Sequence, residues 1–140
     1  MFNKAKIPRP FGDNITEEAV FLGYTEIKKE LNVMAAMNIN QKQFEAMMQE
    51  GEILLVDYWA PWCGYCRRIG PAYEKIAEQY EGKIVVAKVN IDEEPRLAME
   101  ERIEVIPTLV LYRDGKAIGS IVAPESKAMI EGFIEQSLAK

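Results

Sequence analysis

Apolar residues follow two different periods along the chain, and the two alternate from residue 40 onward. Nearly continuous or alternating apolar runs predict strands, and apolar residues at steps of three and four predict amphipathic helices. Runs of strand length lie at residues 53–59, 83–91, 108–112 and 116–122. Helical spacing occurs after Asn40, at 69–80, at 93–102 and after Ser126. The pattern therefore predicts helices placed between strands.

Residues with turn and cap chemistry mark where these elements begin and end. Asn40, with a glutamine three residues later, predicts a capping box, and Ser126 predicts the cap of the last helix. Asp114-Gly115 predicts a tight hairpin, whereas Pro71 removes one backbone donor and predicts a kink in its helix. The first of these helices is predicted to carry Phe44, Met47 and Met48 on its apolar side. The last is predicted to bury Met129, Ile130, Phe133, Ile134 and Leu138.

The order of these elements predicts an α/β domain with a mixed central sheet and helices on both of its faces. The first strands are expected to be parallel because helices connect them, and the hairpin adds the last strand antiparallel. A change in composition near residue 38 divides the chain into an N-terminal extension, residues 1–37, and this domain, residues 38–140.

The extension has a weaker pattern and is predicted to be partly helical. Asn14 or Thr16 can cap a helix there. Its apolar residues at helical spacing are Val20, Tyr24, Ile27 and Leu31. Residues 32–39 are predicted to form either a short strand or a loop, since periodicity does not distinguish the two.

Composition excludes several classes of function. A chain of 140 residues with 49% apolar residues buries about two-thirds of its unfolded surface, so it needs neither disulfides nor a metal to fold. The net charge is −5 without a cluster of lysine and arginine, which argues against nucleic acid as a partner. The absence of histidine removes Ser-His-Asp triads and imidazole metal sites.

The sequence has no stretch typical of export or of membrane insertion. Residues 1–15 lack an apolar run and a small-residue cleavage pattern. No run reaches the ~18 consecutive apolar residues that a membrane span requires. We therefore expect a soluble, cytoplasmic protein without a membrane partner. In a reducing compartment, two nearby cysteines are more often catalytic or metal-binding than structural.

The segment WAPWCGYC joins a predicted strand to a predicted helix. Ligands of α/β proteins bind beyond the carboxyl ends of strands, and the free N–H groups and dipole of a helix start stabilise a thiolate. Cys63 is therefore the candidate nucleophile. Cys66, three residues later on the same helical face, is placed to attack a mixed disulfide formed at Cys63. The alternatives are two small core residues or half of a four-ligand zinc site shared across a dimer. Without histidine or a third cysteine, no metal is predicted.

Several residues, taken in order, resemble the thioredoxin family, whose usual motif is WCGPC. Family members have a buried aspartate on the strand before the motif, a lysine on the next strand and a cis-proline within Ile-Pro-Thr. Asp57, Lys88 and residues 106–108 match these positions. The resemblance covers residues 38–140 and implies a thioredoxin fold. It also implies a thiol-disulfide oxidoreductase that reduces disulfide-containing protein substrates.

The resemblance has further implications for cofactors and partners. Such an enzyme needs no bound cofactor, because the cysteine pair itself gains and loses the electrons. Its electrons come from a separate donor of the thioredoxin-reductase type. We expect a monomer.

Asp57 interrupts an otherwise apolar strand, and two interpretations are open. It is either a solvent-facing edge residue or a buried carboxyl group, whose burial as a charge costs several kcal/mol. A buried Asp57 would have a raised pKa and accept the proton of Cys66, and the resemblance favours this second interpretation. Lys88, by its pattern alone an ordinary solvated lysine, is by resemblance an electrostatic partner that tunes Asp57.

The resemblance also implies a substrate site. Only about 5–6% of X–Pro bonds in folded proteins are cis, but Pro107 matches the family's cis-proline, and Ile106 before it offers backbone groups to an extended substrate segment. The predicted substrate-binding residues are Trp62, Ile106, Pro107 and Thr108, with the rim around Gly64 and Tyr65. The aromatic residues predicted to lie in the core are Trp59, Phe44 and Tyr73.

Two departures from the family pattern affect the predicted site. Tyr65 replaces the usual proline between the cysteines. Gly64, Tyr65 and Lys88 are predicted to tune the reduction potential, which spans about −270 to −120 mV among such proteins. Ala123, followed by Pro124, replaces a family glycine in the loop that flanks the site, and this change is expected to stiffen or reshape the groove.

Two alternatives stand beside disulfide reduction. Tyr65 could mark a more oxidising protein that forms or isomerises disulfides. The extension, with its methionines and aromatic residues, could instead dock a partner, with the domain as scaffold. The intact cysteine pair beside Asp57 and Pro107 favours an enzyme, since a pure binding module has no need of that combination.

Overall fold

The computed structural model of the protein describes residues 36–140. The helix predicted within the extension lies outside the described residues. The strands are β1 (Met37–Asn38), β2 (Leu54–Trp59), β3 (Val85–Asn90), β4 (Thr108–Arg113) and β5 (Lys116–Val122). The helices are α1 (Gln41–Glu50), α2 (Gly64–Gln79), α3 (Pro95–Glu100) and α4 (Lys127–Leu138).

The strands form one sheet in the order β1-β3-β2-β4-β5. Strand β3 is parallel to both β1 and β2, whereas β4 is antiparallel to β2 and β5 is antiparallel to β4. Parallel strands come first and a hairpin strand comes last, which confirms the predicted fold class. The ambiguous stretch at residues 32–39 contributes β1, which pairs with Ala87 and Lys88 of β3.

Helices cover both faces of the sheet because successive side chains of a strand point to opposite faces. Leu54, Val56 and Tyr58 of β2 are buried in a cluster with residues of α1 and α3. Leu55 is buried in a second cluster, with residues of α2 and α4. Strand β2 is therefore a central strand covered on both faces, which explains its nearly continuous apolar sequence.

The predicted caps of the first and last helices are confirmed. Asn40 Oδ1 accepts the N–H of Gln43 at 2.8 Å, and Gln43 Oε1 accepts the N–H of Asn40 at 2.9 Å. Ser126 Oγ accepts the N–H of Met129 at 3.2 Å. Each bond satisfies a backbone donor that the first turn of a helix leaves without an intrahelical partner.

The hairpin between β4 and β5 is also confirmed. Asp114 and Gly115 have φ angles of 56° and 77°, and positive φ at both central residues is what a two-residue type I′ turn requires. Pro71 lies inside α2, which continues on both sides of it. The helix therefore loses one backbone hydrogen bond there without ending.

The last helix buries fewer residues than its sequence predicts. Ile130 and Ile134, four positions apart, face the core and are fully buried, and Phe133 and Leu138 pack against them partly buried. Met129 was predicted to be buried, but it is 43% exposed. Ile130 takes the core-facing position. The adjacent Met129 therefore lies at the side of the helix, partly exposed to solvent.

Of the three aromatic residues predicted to lie in the core, Phe44 and Tyr73 are buried. Trp59 is half-buried instead. Its indole Nε1 donates to Asn38 Oδ1 at 2.9 Å. Lys88 Nζ lies 4.7 Å from the centroid of the Trp59 ring, so the side chain of Trp59 packs against polar groups near the edge of the sheet rather than in either apolar cluster.

Gly119 of β5 lies where α4 approaches the sheet closely. A Cβ atom at this position would meet Ser137 Oγ at 2.5 Å and a ring carbon of Phe133 at 3.2 Å. We expect Gly119→Ala to lower the free energy of unfolding by about 1–3 kcal/mol, because overpacking displaces the helix. Urea denaturation followed by circular dichroism measures this loss.

Gly132→Ala is the matched control for that prediction. Gly132 lies inside α4, and among the described residues no atom outside its chain neighbours and its own helix backbone would come within 4 Å of an added Cβ. The same substitution there should raise the stability by about 0.5–1 kcal/mol, since alanine loses less backbone entropy than glycine in a helix. An unchanged urea midpoint for Gly119→Ala would show that α4 adjusts without cost.

Strand direction brings four chain segments to one end of the sheet. Strands β2 and β3 both end there, β4 begins there, and β5 ends opposite the start of β4, with Val122 paired to Thr108. The segments that follow or precede these strand ends are residues 60–63, 91–94, 105–107 and 123–125. The cysteine pair lies at this end. Within residues 36–140, no helix is both long and apolar enough to cross a membrane.

Candidate active site

Cys63 and Cys66 form a disulfide at the start of α2. Cys63 is the N-cap residue, and its Sγ accepts the N–H of Cys66 at 3.1 Å. The Cα atoms are 5.3 Å apart, within the usual range for disulfides. The sulfur of Cys63 thus occupies the place that a capping oxygen takes in other helices, facing the unpaired backbone donors of the first turn.

The turn between β2 and α2 directs Cys63 into this position. The N–H of Cys63 donates to the carbonyl oxygen of Ala60 at 3.1 Å. The guanidinium of Arg67 donates to the carbonyl oxygen of Pro61 at 2.6 Å, which ties the turn to the helix. Cys63 is 8% exposed and Cys66 is 5% exposed. A substrate therefore meets a disulfide of which only a small part reaches the surface.

Trp62 presents exposed apolar surface beside the disulfide. The residue is 66% exposed, and its indole Nε1 donates to the carboxylate of Asp92 at 3.0 and 3.3 Å. Asp92 follows β3, and its own N–H donates to Asn90 Oδ1 at 2.9 Å. The orientation of the indole is therefore set from the neighbouring strand.

Asp57 is buried in the middle of the sheet and is 1% exposed, so it is not a solvent-facing edge residue. It lies two positions after Leu55 on β2, on the face that α2 and α4 cover. Burial raises its pKa from 3.8 to about 7, and the positive charge of Lys88 opposes part of that rise. Among the described residues, Asp57 Oδ1 has no hydrogen-bond partner. The group can therefore exchange a proton near neutral pH.

Lys88 lies opposite Asp57 in the register of β3 and β2. Its Nζ is 4.7 Å from the centroid of the Trp59 ring, a cation-π contact. The side chain is half-buried. Lys88 thus combines a contact with Trp59 and an electrostatic effect on Asp57.

The loop before β4 contains a cis peptide bond between Ile106 and Pro107, in agreement with the resemblance. Pro107 is buried, whereas Ile106 is half-buried and Val105 is exposed. Thr108 is buried, and its hydroxyl donates to the carbonyl oxygen of Val105 at 2.6 Å. This bond joins the start of β4 to the loop before it.

Tyr65 extends from the start of α2 to the loop after β5. Its hydroxyl donates toward the carbonyl oxygens of Ala123 and Pro124, at 3.2 and 3.1 Å. The guanidinium carbon of Arg68 lies 5.5 Å from the centroid of the Tyr65 ring. The N–H of Ala123 in turn donates to the carbonyl oxygen of Pro107 at 2.9 Å. These bonds connect the start of α2, the loop after β5 and the loop before β4.

The structure brings most of the predicted site residues to one end of the sheet, and it adds partners that the sequence did not indicate. Asp92, the acceptor for Trp62, comes directly after a strand, and that position is the signal that could have identified it. The partners of Tyr65 lie 58 and 59 residues later in the chain. No local pattern indicates a contact of that separation.

The geometry defines a class of protein. A disulfide within C-x-x-C at the start of a helix, after the central strand of a mixed sheet, is the arrangement of a dithiol-disulfide exchange protein. Within residues 36–140, no three or more histidine, cysteine, aspartate or glutamate residues are grouped so that they could hold a metal ion.

Comparison with known proteins identifies the family. The family model described as Thioredoxin matches residues 35–136. Thioredoxin 1 of Nostoc sp. is 39% identical over 105 residues, which are 74% of this chain and 98% of that protein. The chloroplastic thioredoxin M-type of Spinacia oleracea is 35% identical over 76% of this chain and 60% of that protein. The chain belongs to the thioredoxin family.

A solved structure agrees with this assignment. That of Plasmodium falciparum thioredoxin superimposes with a TM-score of 0.66 at 30% identity, over 71% of this chain and 97% of that one. Together with the Cys63–Cys66 disulfide, the family makes this chain a protein-disulfide oxidoreductase. Neither a more oxidising role for Tyr65 nor a purely binding role is favoured by these relatives.

Proposed function

We propose that the protein reduces disulfides of other proteins, with Cys63 as the attacking thiol and Cys66 as the resolving thiol. The observation that supports this assignment is the position of Cys63 as the cap of α2, where its sulfur accepts the N–H of Cys66. A thiolate at that point is stabilised by the backbone donors and by the helix dipole. Cys66, one turn into the helix, lacks that position.

The reaction proceeds in two exchange steps that balance. The Cys63 thiolate attacks one sulfur of the substrate disulfide, a mixed disulfide forms, and the other substrate sulfur leaves as a thiolate. Cys66 then loses its proton and attacks the Cys63 sulfur, which releases the second substrate thiol. Two electrons have passed to the substrate, and the Cys63–Cys66 disulfide present in the structure is the product.

Asp57 is proposed to take up the proton of Cys66 in the second step. Its buried carboxyl group has a pKa of about 7, which suits proton transfer at neutral pH. Lys88 lowers that pKa and so favours the ionised, proton-accepting form. Gly64, Tyr65 and Lys88 are proposed to tune the reduction potential, the first two through their backbone, which forms the helix start that stabilises the thiolate.

Substrate is proposed to bind across the exposed rim beside the disulfide. Trp62 offers an apolar surface, and the loop of Ile106 and Pro107 offers backbone groups to an extended segment. Thr108 acts indirectly, since its buried hydroxyl holds the loop through Val105. The electrons are proposed to come from a thioredoxin-reductase-type donor.

The monomeric state, the cytoplasmic location and the division of the chain between residues 37 and 38 stay predictions. Pull-downs with the full chain and with a chain lacking residues 1–36 test whether the extension has a separate binding role. Partners retained by both chains would count against such a role.

Insulin reduction and the reduction potential test the proposed function. With dithiothreitol or a thioredoxin reductase as electron source, the protein should accelerate insulin reduction, and equilibration with glutathione should give a potential near the thioredoxin value of about −270 mV. A potential near about −120 mV would instead indicate a protein that oxidises disulfides. No acceleration of insulin reduction would refute the proposal.

A further inference from the structure

Ala123, in the loop after β5 at the disulfide end of the sheet, has a costly backbone conformation. Its φ is 47°, in the left-handed region that residues with a Cβ rarely adopt. Pro124 follows, and its ring fixes the next φ angle of the loop. Such a conformation persists only when neighbouring contacts hold it.

The contacts that hold Ala123 come from two other segments at this end of the sheet. On one side its N–H donates to the carbonyl oxygen of Pro107 at 2.9 Å. On the other side the hydroxyl of Tyr65 lies 3.2 Å from the carbonyl oxygen of Ala123 and 3.1 Å from that of Pro124, so that one proton is shared between them. Tyr65 thus connects the residue between the two cysteines to the loop that faces the cis-proline.

We propose that Tyr65 is a positioning residue for protein substrates, whose hydroxyl holds the Ala123–Pro124 loop in place against the Pro107 loop. This inference rests on the proposed function, in which an extended substrate segment binds beside Cys63. A loop that is already positioned loses less conformational freedom when substrate binds, which strengthens binding. The hydroxyl therefore contributes to the affinity for protein disulfides.

The Tyr65 hydroxyl contributes little to the exchange chemistry itself, because it lies away from the helix cap. The Tyr65 hydroxyl bonds carbonyl oxygens of the loop, while the helix cap at Cys63 is made by the N–H of Cys66. Tyr65→Phe removes the hydroxyl and keeps the ring, the backbone and that cap. The reduction potential should therefore stay unchanged in this variant.

The test is single-turnover oxidation of the reduced protein, followed by tryptophan fluorescence, with two oxidants. Insulin, as a protein, has to bind against the loops around the disulfide, whereas a small aromatic disulfide such as 5,5′-dithiobis(2-nitrobenzoate) needs little of that surface. For Tyr65→Phe we expect the half-saturating insulin concentration to rise about three- to tenfold, the size of one lost hydrogen bond. The limiting rate and the rate with the small disulfide should stay within about twofold of the wild type.

Two further variants sharpen the test. Tyr80→Phe removes a hydroxyl near the far end of the same helix and should leave all these quantities unchanged. Ala123→Gly relieves the strained backbone, since glycine adopts positive φ freely. In the Ala123→Gly background, Tyr65→Phe should therefore raise the half-saturating concentration less than it does in the wild type.

Other results would overturn the inference. A half-saturating insulin concentration for Tyr65→Phe equal to that of the wild type would do so, as would an equal loss with both oxidants. A changed reduction potential of Tyr65→Phe with unchanged insulin affinity would assign the hydroxyl to the redox couple instead of the loop. If the reduced wild-type protein reacts with the small disulfide but not with insulin, the proposed function fails, and the inference fails with it.

Discussion

Cys63→Ser is expected to abolish insulin reduction, with a loss of at least about 10³-fold relative to the wild type. A serine hydroxyl at the cap of α2 is not ionised at neutral pH and cannot form a disulfide with the substrate, so neither exchange step can start. The measurement is the turbidity assay of insulin reduction with dithiothreitol, corrected for the rate without protein. Activity of Cys63→Ser close to that of the wild type would contradict the assignment of Cys63.

Cys66→Ser is the control that separates the two cysteines. Turnover should also be lost, but the first step remains possible because Cys63 and its capping position are kept. The variant should therefore accumulate a mixed disulfide with insulin, which non-reducing electrophoresis and mass spectrometry detect. If Cys66→Ser gives no adduct and Cys63→Ser gives one, the roles of the two residues are reversed.

Asp57→Asn is expected to remove a pH dependence of stability from the oxidised protein. The pKa of Asp57 is about 7 in the folded protein against a usual 3.8, so between these values the folded state keeps a proton that the unfolded state has lost. The free energy of unfolding therefore falls as the pH rises through this window, by about 1.4 kcal/mol per pH unit. Above pH 7 the loss levels off at roughly 4 kcal/mol.

Urea denaturation at pH 5 and pH 8.5, without reductant, measures this effect. Between the two values the wild type should lose roughly 3 kcal/mol through Asp57, and Asp57→Asn should lose none of that amount. Asp114→Asn, a change at an exposed carboxylate of the hairpin, should keep the wild-type pH dependence. Equal slopes for the wild type and Asp57→Asn would show that Asp57 is ionised in the folded protein across this range.

Much of the fold could be predicted because its signals are local. The capping box at Asn40, the hairpin at Asp114-Gly115 and the cap at Ser126 each depend on residues within three or four positions of one another. The apolar run of β2 likewise reports burial on both faces of the sheet. These elements appear in the structure at or near their predicted positions.

Environments set by packing between distant elements were harder to predict. Met129 fits the helical period, yet Ile130 takes the core-facing place. Trp59 ends a buried strand, yet it is only half-buried, beside Asn38 and Lys88. In both cases the sequence pattern predicted the correct type of element. The packing of neighbouring elements decided how far the side chain is exposed.

The candidate site shows the same division. The pattern WAPWCGYC placed a cysteine pair between a strand and a helix, and Asp57 stood out because a carboxylate is costly in an apolar strand. The bonds from Tyr65 to the loop after β5, and from Trp62 to Asp92, join segments far apart in the chain. They exist because β2, β3 and β5 end, and β4 begins, at the same end of the sheet.

By itself, the sequence determined the chemistry of this protein. With two cysteines and no histidine, a redox pair at a helix start follows from residue type, spacing and local structure. Only the tertiary structure decided what surrounds that pair. It buries Asp57, which raises the pKa of its carboxyl group, and it brings Tyr65 and Pro107 to the loop in which Ala123 has positive φ. Burial and long-range hydrogen bonds depend on how strands and helices pack, and short-range sequence patterns do not encode that packing.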